Sequence, residues 1–477
     1  MNSRLLHDLK KLLGANGVLH EPEDLLLYEY DGSVEVARPD CVVFPRGTSD
    51  VVKIARLANH HRVPLVGRGA GTGLSGGALA REGGIITSFA RMNRILEIDI
   101  ENQRARVQPG VVNADLSLAV AHTGLHFAPD PSSQKACTIG GNVSENSGGP
   151  HTLAYGVTTN HVLALEVVLP SGDVVHLGGS AVDAPGYDVL GVFVGSEGTF
   201  GLVTEITVRL TRLPEAVKTL LAIYDSADDA TETVAEITAR GITPAACEMM
   251  DGWTIRAVED YVHAGFPLDA AAILLIDVDG LHEAVEEEAE AVADVGRIHH
   301  ARSVRVARDA AERDLLWKGR KNAFGAAGRI SPSYYTQDGV IPRTKLPATL
   351  RHIGEISRKY DLAIGNVFHA GDGNLHPIIL FDQRNQQQFQ DAVRAADEII
   401  EFCIAAGGSI TGEHGVGMEK DRLMPLLFSE ADIDLMKRVR GVFNPDGLLN
   451  PGKILPNSKG CGEIYVRPQQ PTSAPTR

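Results

Sequence analysis

Three glycine-rich stretches dominate the first 215 residues: "VPLVGRGAGTGLSGG", "DPSSQKACTIGGNVSENSGGPHTLAYG" and "VGSEGTFGLV". Each interrupts an otherwise well-patterned run of strands and helices. The second is long, polar and nearly free of bulky apolar side chains. Long loops inside a compact domain are usually functional. Successive glycines let backbone N–H groups converge on one point, a nest suited to an anion such as pyrophosphate. Three such loops in one α+β domain suggest an extended, phosphate-containing cofactor lying along backbone amides.

The first loop contains Gly71, Gly73 and Gly76 at the spacing of a GxGxxG dinucleotide fingerprint. That fingerprint needs a helix opening directly from the glycines, with its N-terminus facing the pyrophosphate. Here "ALAREGG" runs only a few residues before the strand "IITSF" begins, so a nicotinamide-type Rossmann turn is not expected.

A chain of 477 residues is too long for one core. Composition divides it into a glycine-rich zone over 1–215 that opens with a helix over about 1–20, a second zone over 216–440, a return segment over 441–456, and a polar tail over 457–477 expected to be disordered. The first zone reads strand "CVVFPR", helix "SDVVKIARLANHHR", strand "VPLVG". It closes on "LVTEITVRL", where Leu202, Thr204, Ile206, Val208 and Leu210 alternate with polar residues, as on a strand with one wet face. The second zone reads strand "VKTLLAIY", helix "DDATETVAEITAR", strand "AAILLIDVDG", helix "HEAVEEEAEAVADVG", strand "RSVRVAR", a ferredoxin-like α+β layer followed by helices. Leu281, Val285, Ala289 and Val292 mark the apolar stripe of the second helix.

The formal net charge of −16 argues against nucleic acid as a partner. Five scattered cysteines without a CxxC pair exclude a disulfide framework or a cysteine-ligated iron–sulfur cluster within the chain. The N-terminus has no apolar signal region and no segment is a membrane-span candidate, so the cytoplasm is expected. Peripheral attachment at the inner face of the membrane through a partner stays open.

The stretch "HAGDGNLH" puts His369 and His376 at the two ends of a glycine-rich connection between "LAIGNVFH" and "HPIILF", both read as strands. Side chains opposite each other on paired strands sit roughly 5 Å apart, close enough to share one ion, although a plain turn explains the loop equally well.

The combination of "PRGTSDVVKIARLANHHRVPLVGRGAGTGLSGG", "DPSSQKACTIGGNVSENSGG" and "GSEGTFGLVTEI" resembles the FAD-binding domain of the vanillyl-alcohol-oxidase type. "LLWKGRKNAFGAAGRISP", "HAGDGNLHP" and "TGEHGVGMEK" resemble the C-terminal domain of FAD-linked oxidases. From about residue 20 to 456 the chain is similar to the FAD-binding subunit of bacterial glycolate oxidase, a relative of D-lactate and D-2-hydroxyglutarate dehydrogenases. The resemblance implies a two-subdomain FAD-binding domain plus an α+β ferredoxin-like cap with a helical C-terminal part. It implies that Arg68, Gly69, Ala70, Gly71, Thr72, Gly73, Ser75 and Gly76 wrap the FAD pyrophosphate. It also implies that Pro129, Asp130, Pro131, Ser132, Ser133, Thr138, Gly141, Asn146, Gly148, Gly149, Glu197, Gly198 and Ile206 line the rest of the flavin, with Asn450 touching it. The first loop lacks a histidine, so FAD is expected to be non-covalent.

In "TGEHGVG" the flanking Gly412 and Gly415 permit a bend that turns both Glu413 and His414 inward. His369, His376 and Glu413 then form a His₂–carboxylate set suited to zinc or manganese, and the same triplet is a metal site in the family resembled. A metal chelated by hydroxyl and carboxylate would ease loss of the hydroxyl proton and fix the substrate carbon over flavin N5 for hydride transfer. His414 is the expected general base, and Arg320 in "WKGRKNAF" the expected partner of the substrate carboxylate. Lys321 is expected to face solvent, and Asp372 and Asn374 to orient the histidines. The expected reaction is oxidation of a small 2-hydroxy acid, glycolate or D-lactate, to the 2-oxo acid. D-2-hydroxyglutarate is an alternative substrate, and a non-catalytic electron-relay subunit is an alternative of another class. A flavin-free zinc hydrolase leaves the glycine loops unexplained and lacks HExxH. By resemblance, a second flavin-fold subunit and an iron–sulfur subunit are plausible electron-accepting partners. The acceptor and the oligomeric state, including a homo-oligomer, stay open.

Overall fold

The apolar runs near residues 42, 66 and 86 form three short strands, Cys41–Val43, Leu65–Arg68 and Ile85–Ser88. They lie parallel, with Val18–Leu19 antiparallel at the edge. Parallel strands covered on both faces carry continuous apolar runs rather than alternation. The computed structural model of the chain describes residues 3–181 and 185–456; the expected disordered tail lies outside the described residues. Helices Ser3–Leu13 and Thr48–His61 cover this sheet and bury Leu5, Leu9 and Ile54 against it. The first helix stops at Leu13 rather than near residue 20, because Gly14 and Gly17 follow and Val18 is taken into the sheet opposite Val43.

A second, antiparallel sheet runs Ile95–Asp99, Arg104–Val107, Leu202–Arg209, Val162–Val168, Val174–Gly178. Its middle strand shows the alternation read from sequence: Thr204, Ile206 and Val208 are fully buried, while Arg209 is exposed. Ile206, expected to touch the flavin, packs instead in an apolar cluster with Val107, Val143 and Leu165. The inward face of a period-two strand belongs to the core, so its side chain has no route to the cleft.

Strands Ala216–Tyr224, Ala246–Asp251, Ala272–Gly280 and Ser303–Val306 pair antiparallel in the spatial order fourth, first, third, second. Helices Ala227–Ala239 and His282–Ile298 cover one face, which gives the ferredoxin-like layer. Val285, Ala289 and Val292 are buried as expected. Leu281 is 59% exposed, because it caps the helix and precedes its first turn. Ala246–Asp251 ("ACEMMD") was not expected as a strand; its Ala, Glu and Asp residues give little β signal. The sheet continues from it into Ile364–His369, with Glu248 directly opposite His369. Helices Leu346–Tyr360 and Gln386–Ala405 then pack on the layer. After Glu430–Phe443 the chain returns to the first sheet, where Leu449 bridges Leu65. No described helix is long and apolar enough to cross a membrane.

Truncating Ile206 removes atoms from a fully packed core. Ile206→Ala is therefore expected to cost about 2–5 kcal/mol and to lower the melting temperature while folded protein keeps its full flavin content. A loss of flavin without a loss of stability would place Ile206 against the cofactor instead.

Candidate active site

The Leu65–Arg68 strand delivers its C-terminal end into a cavity of ≈ 550 Å³. Arg68, Gly69, Ala70, Gly71, Thr72 and Gly73 line one side, and Pro131, Ser132, Ser133, Thr138, Gly141, Glu197 and Gly198 line more of it. Gly71 has φ +72°, and a Cβ there would lie 2.3 Å from the Arg68 guanidinium, so the turn needs glycine. Arg68 is buried; its Nη2 donates to Tyr30 O at 2.8 Å, while Nη1 has no partner. A buried, half-satisfied cation beside a glycine loop fits a pyrophosphate.

Nine residues expected at the cofactor do not line the cavity: Ser75, Gly76, Pro129, Asp130, Asn146, Gly148, Gly149, Ile206 and Asn450. Several support its walls instead. Pro129 O accepts from Asn113 Nδ2 at 3.0 Å. Asn146 turns the chain at the end of helix Ile139–Glu145 and accepts from Thr159 N at 2.8 Å. Asn450 Nδ2 donates to Gly77 O at 2.9 Å and Glu197 O at 2.7 Å, lacing the returning chain to two loops. Gly76 is packed against Met418, Gly149 against Asp130, and Gly148 against Thr152 and Glu413. Ser75 is fully buried beneath Gly417.

The same cavity is lined by Arg320, Lys321, Phe324, Tyr334, His369, His376, Glu413 and His414. Glu413 Oε1 lies 3.0 Å from Nε2 of His369 and 3.0 Å from Nε2 of His376. Three ligand-type atoms so close could hold a metal ion. The two histidines are not opposite each other: His369 faces Asn374 in register, and His376 lies beyond it with its ring centroid 5.0 Å from that of His369. The His414 ring stacks on His376 at 4.9 Å. Both Glu413 and His414 reach the cluster because Gly412 packs tightly on Asn374 and Gly415 takes φ +86°.

Two carboxylates that sequence reading missed hold this arrangement. Glu248, wholly buried, accepts from His369 Nδ1 at 2.7 Å and sits 2.5 Å from Arg320 Nη2. Asp338, also wholly buried, accepts from the N–H groups of Gly412 at 3.0 Å and His414 at 2.9 Å and from the Thr411 hydroxyl, with Lys420 Nζ 3.6 Å away. Asp372 and Asn374, expected in the orienting role, pair with each other in the turn instead, at 3.0 Å. Lys321, expected in solvent, lines the cavity and approaches Asp130 at 3.5 Å. A carboxylate flanked by Cys247 and Met249 in "ACEMMD" was the available signal for Glu248.

Electrostatics follow from burial. Desolvation alone would raise the Glu413 carboxyl, but His369 and His376 outweigh it and hold it well below the usual carboxylate range. Burial lowers His369, yet Glu248 and Glu413 together push it well above the usual histidine range. His414, buried and only partly compensated by Asp338, is pushed down to about 4 and is neutral near pH 7.

The fold and this cleft define an FAD-linked oxidase. Residues 213–454 match the family "FAD linked oxidases, C-terminal domain", and 39–178 match the "FAD binding domain" family, so the chain belongs to the FAD-linked oxidases. Among curated relatives, the glycolate oxidase subunit GlcD of Escherichia coli K12 is 49% identical over 448 residues, 94% of this chain and 90% of that one. GlcD of Bacillus subtilis is 44% identical, covering 90% and 92%, and a D-lactate dehydrogenase of Anaerostipes hadrus is 32% identical, covering 88% and 90%. Substrate-bound p-cresol methylhydroxylase shares the fold at TM-score 0.80 and 17% identity, covering 94% of this chain and 96% of that one. A 4-ethylphenol oxidase from Gulosibacter chungangensis does so at TM-score 0.78 and 17% identity, covering 95% and 98%.

Asp338 organises the loop that carries Glu413 and His414. Asp338→Ala strands the buried Lys420 and the N–H groups of Gly412, Glu413 and His414, and is expected to cost about 3–5 kcal/mol. Glu413→Ala leaves His369 still paired with Glu248, and is expected to cost less. Thermal melts of the two variants check the order.

Proposed function

We propose that the protein oxidises a small 2-hydroxy acid, glycolate or D-lactate, to the 2-oxo acid with non-covalent FAD. One observation carries the reading: the glycine loops and the His369–His376–Glu413 cluster open into a single cavity. The similarity to proteins named glycolate oxidase subunit and D-lactate dehydrogenase supports it. Residues 1–215 would hold the cofactor, 216–440 cap it, and 441–456 close back on it. The loop from Arg68 to Gly73, with the free Arg68 Nη1, would hold the pyrophosphate, while Pro131–Ser133, Thr138, Gly141, Glu197 and Gly198 would enclose the rest.

FAD bound there supplies the acceptor for two electrons. His369, His376 and Glu413 would hold zinc or manganese, which supplies a Lewis acid that makes the substrate hydroxyl easier to ionise. Neutral His414, stacked beside the cluster, takes the hydroxyl proton on an imidazole nitrogen. Arg320 Nε, buried and without a hydrogen-bond partner, donates to the substrate carboxylate from the cavity wall. Phe324 and Tyr334 form an apolar wall beside it, their rings stacked at 6.2 Å. The protein would work in the cytoplasm as one subunit of a complex, with electrons leaving to a second flavin-fold subunit and an iron–sulfur subunit.

Anaerobic mixing with a panel of 2-hydroxy acids is expected to bleach the flavin with glycolate or D-lactate. An unreduced flavin across the panel would contradict the reading. His414→Ala is expected to slow flavin reduction about 10²–10⁴-fold with substrate still bound. His369→Ala and Glu413→Ala should lose both metal and turnover while acid still releases the full complement of FAD.

A further inference from the structure

Among the described residues, Glu248 is the one carboxylate that contacts both Arg320 and His369. It lies on the Ala246–Asp251 strand in register with His369, so both side chains emerge on one face of the sheet. Oε1 accepts from His369 Nδ1 at 2.7 Å, and Oε2 sits 2.5 Å from Arg320 Nη2. The Arg320 contact is one of charges rather than an aligned hydrogen bond, since neither Oε2 nor Nη2 finds a well-directed partner. All three residues are buried, with Glu248 and Arg320 each 1% exposed. Water therefore cannot substitute for either partner.

Resting on the functional reading above, we infer that Glu248 is a positioning residue that couples the metal cluster to the substrate-binding arginine. By accepting from the Nδ1–H of His369 it keeps Nε2 as the ring atom turned toward Glu413, where a metal would take the place of its proton. With its second oxygen it anchors the Arg320 guanidinium in the cavity wall. A carboxylate behind a ligating imidazole fixes ring and tautomer, and its loss typically weakens metal binding. The arrangement here goes further, because the same carboxylate also sets where the substrate carboxylate is gripped. Occupancy of the cluster and affinity for the hydroxy acid thus share one buried anion.

The isosteric change Glu248→Gln separates these roles by donor count. A glutamine has one acceptor oxygen, so it can satisfy His369 or Arg320 but not both, and its amide N–H₂ opposes whichever donor is left. The holoprotein is stripped of metal, and zinc affinity is then measured by competition with a chromophoric chelator. KM for the accepted hydroxy acid is measured separately at saturating zinc. Glu248→Gln is expected to bind zinc about 10–100-fold more weakly and to raise KM about ten-fold or more, with flavin content unchanged. Glu248→Asp keeps the charge but is one methylene shorter. It is expected to recover zinc affinity in part and KM less. Unchanged zinc affinity and KM in both variants would overturn the inference and leave the functional reading intact. If the unmodified protein bound neither zinc nor manganese, both would fall. If Glu248→Gln lost its flavin, Glu248→Asp would be measured in the same way, and unaltered zinc affinity there would overturn the inference.

Discussion

A buried carboxylate must have partners, and the site depends on how this chain supplies them. Arg320, Glu248, His369, Glu413 and His376 form a continuous chain of polar contacts through the interior. Asp338 and Lys420 flank it. Each anion is expensive alone and tolerable only between cations or N–H donors. The arrangement therefore specifies geometry more than it adds stability. The proton that Glu248 and Glu413 hold on His369 and a divalent cation in the cluster would be alternatives for the same charge position, so metal uptake there would release protons and be favoured by higher pH.

The cluster is fastened to the cofactor cleft by one loop. Glu197, which lines the cleft, accepts from the N–H groups of Val416 and Gly417 at 2.7 Å each. Asp338 holds the same loop from the other side through Gly412 and His414. The loop bearing Glu413 and His414 is thus pinned between the cofactor region and the ferredoxin-like sheet. Two elements far apart in sequence can then present one reaction centre without a flexible join.

Much of this was legible in the residues. The period-two strand at 202–210, the two amphipathic helices over the second sheet, and the His/His/Glu/His set all fall where spacing and resemblance put them. What escaped shares a physical cause. Glu248 and Asp338 act through tertiary partners more than 70 residues away, and no local periodicity announces a buried charge whose compensation lies elsewhere. The strand carrying Glu248 was missed because its Ala, Glu and Asp residues are disfavoured in strands; its neighbours in the sheet impose the conformation. Lys321 was misplaced because helix position alone does not say which side meets a cleft. Asn146, Asn450 and Ile206 were carried over by motif, and motif position does not separate a wall residue from the residue that braces it.

The claim at the centre is that two imidazoles and a carboxylate hold an ion in the wall of the flavin cavity. X-ray absorption at the zinc edge of the zinc-loaded holoprotein tests it most directly. The account predicts two imidazole nitrogens and at least one carboxylate oxygen at about 2.0–2.2 Å, with the remaining ligands changing when a 2-hydroxy acid is added. A spectrum without imidazole scattering, or one indifferent to the hydroxy acid, would contradict it.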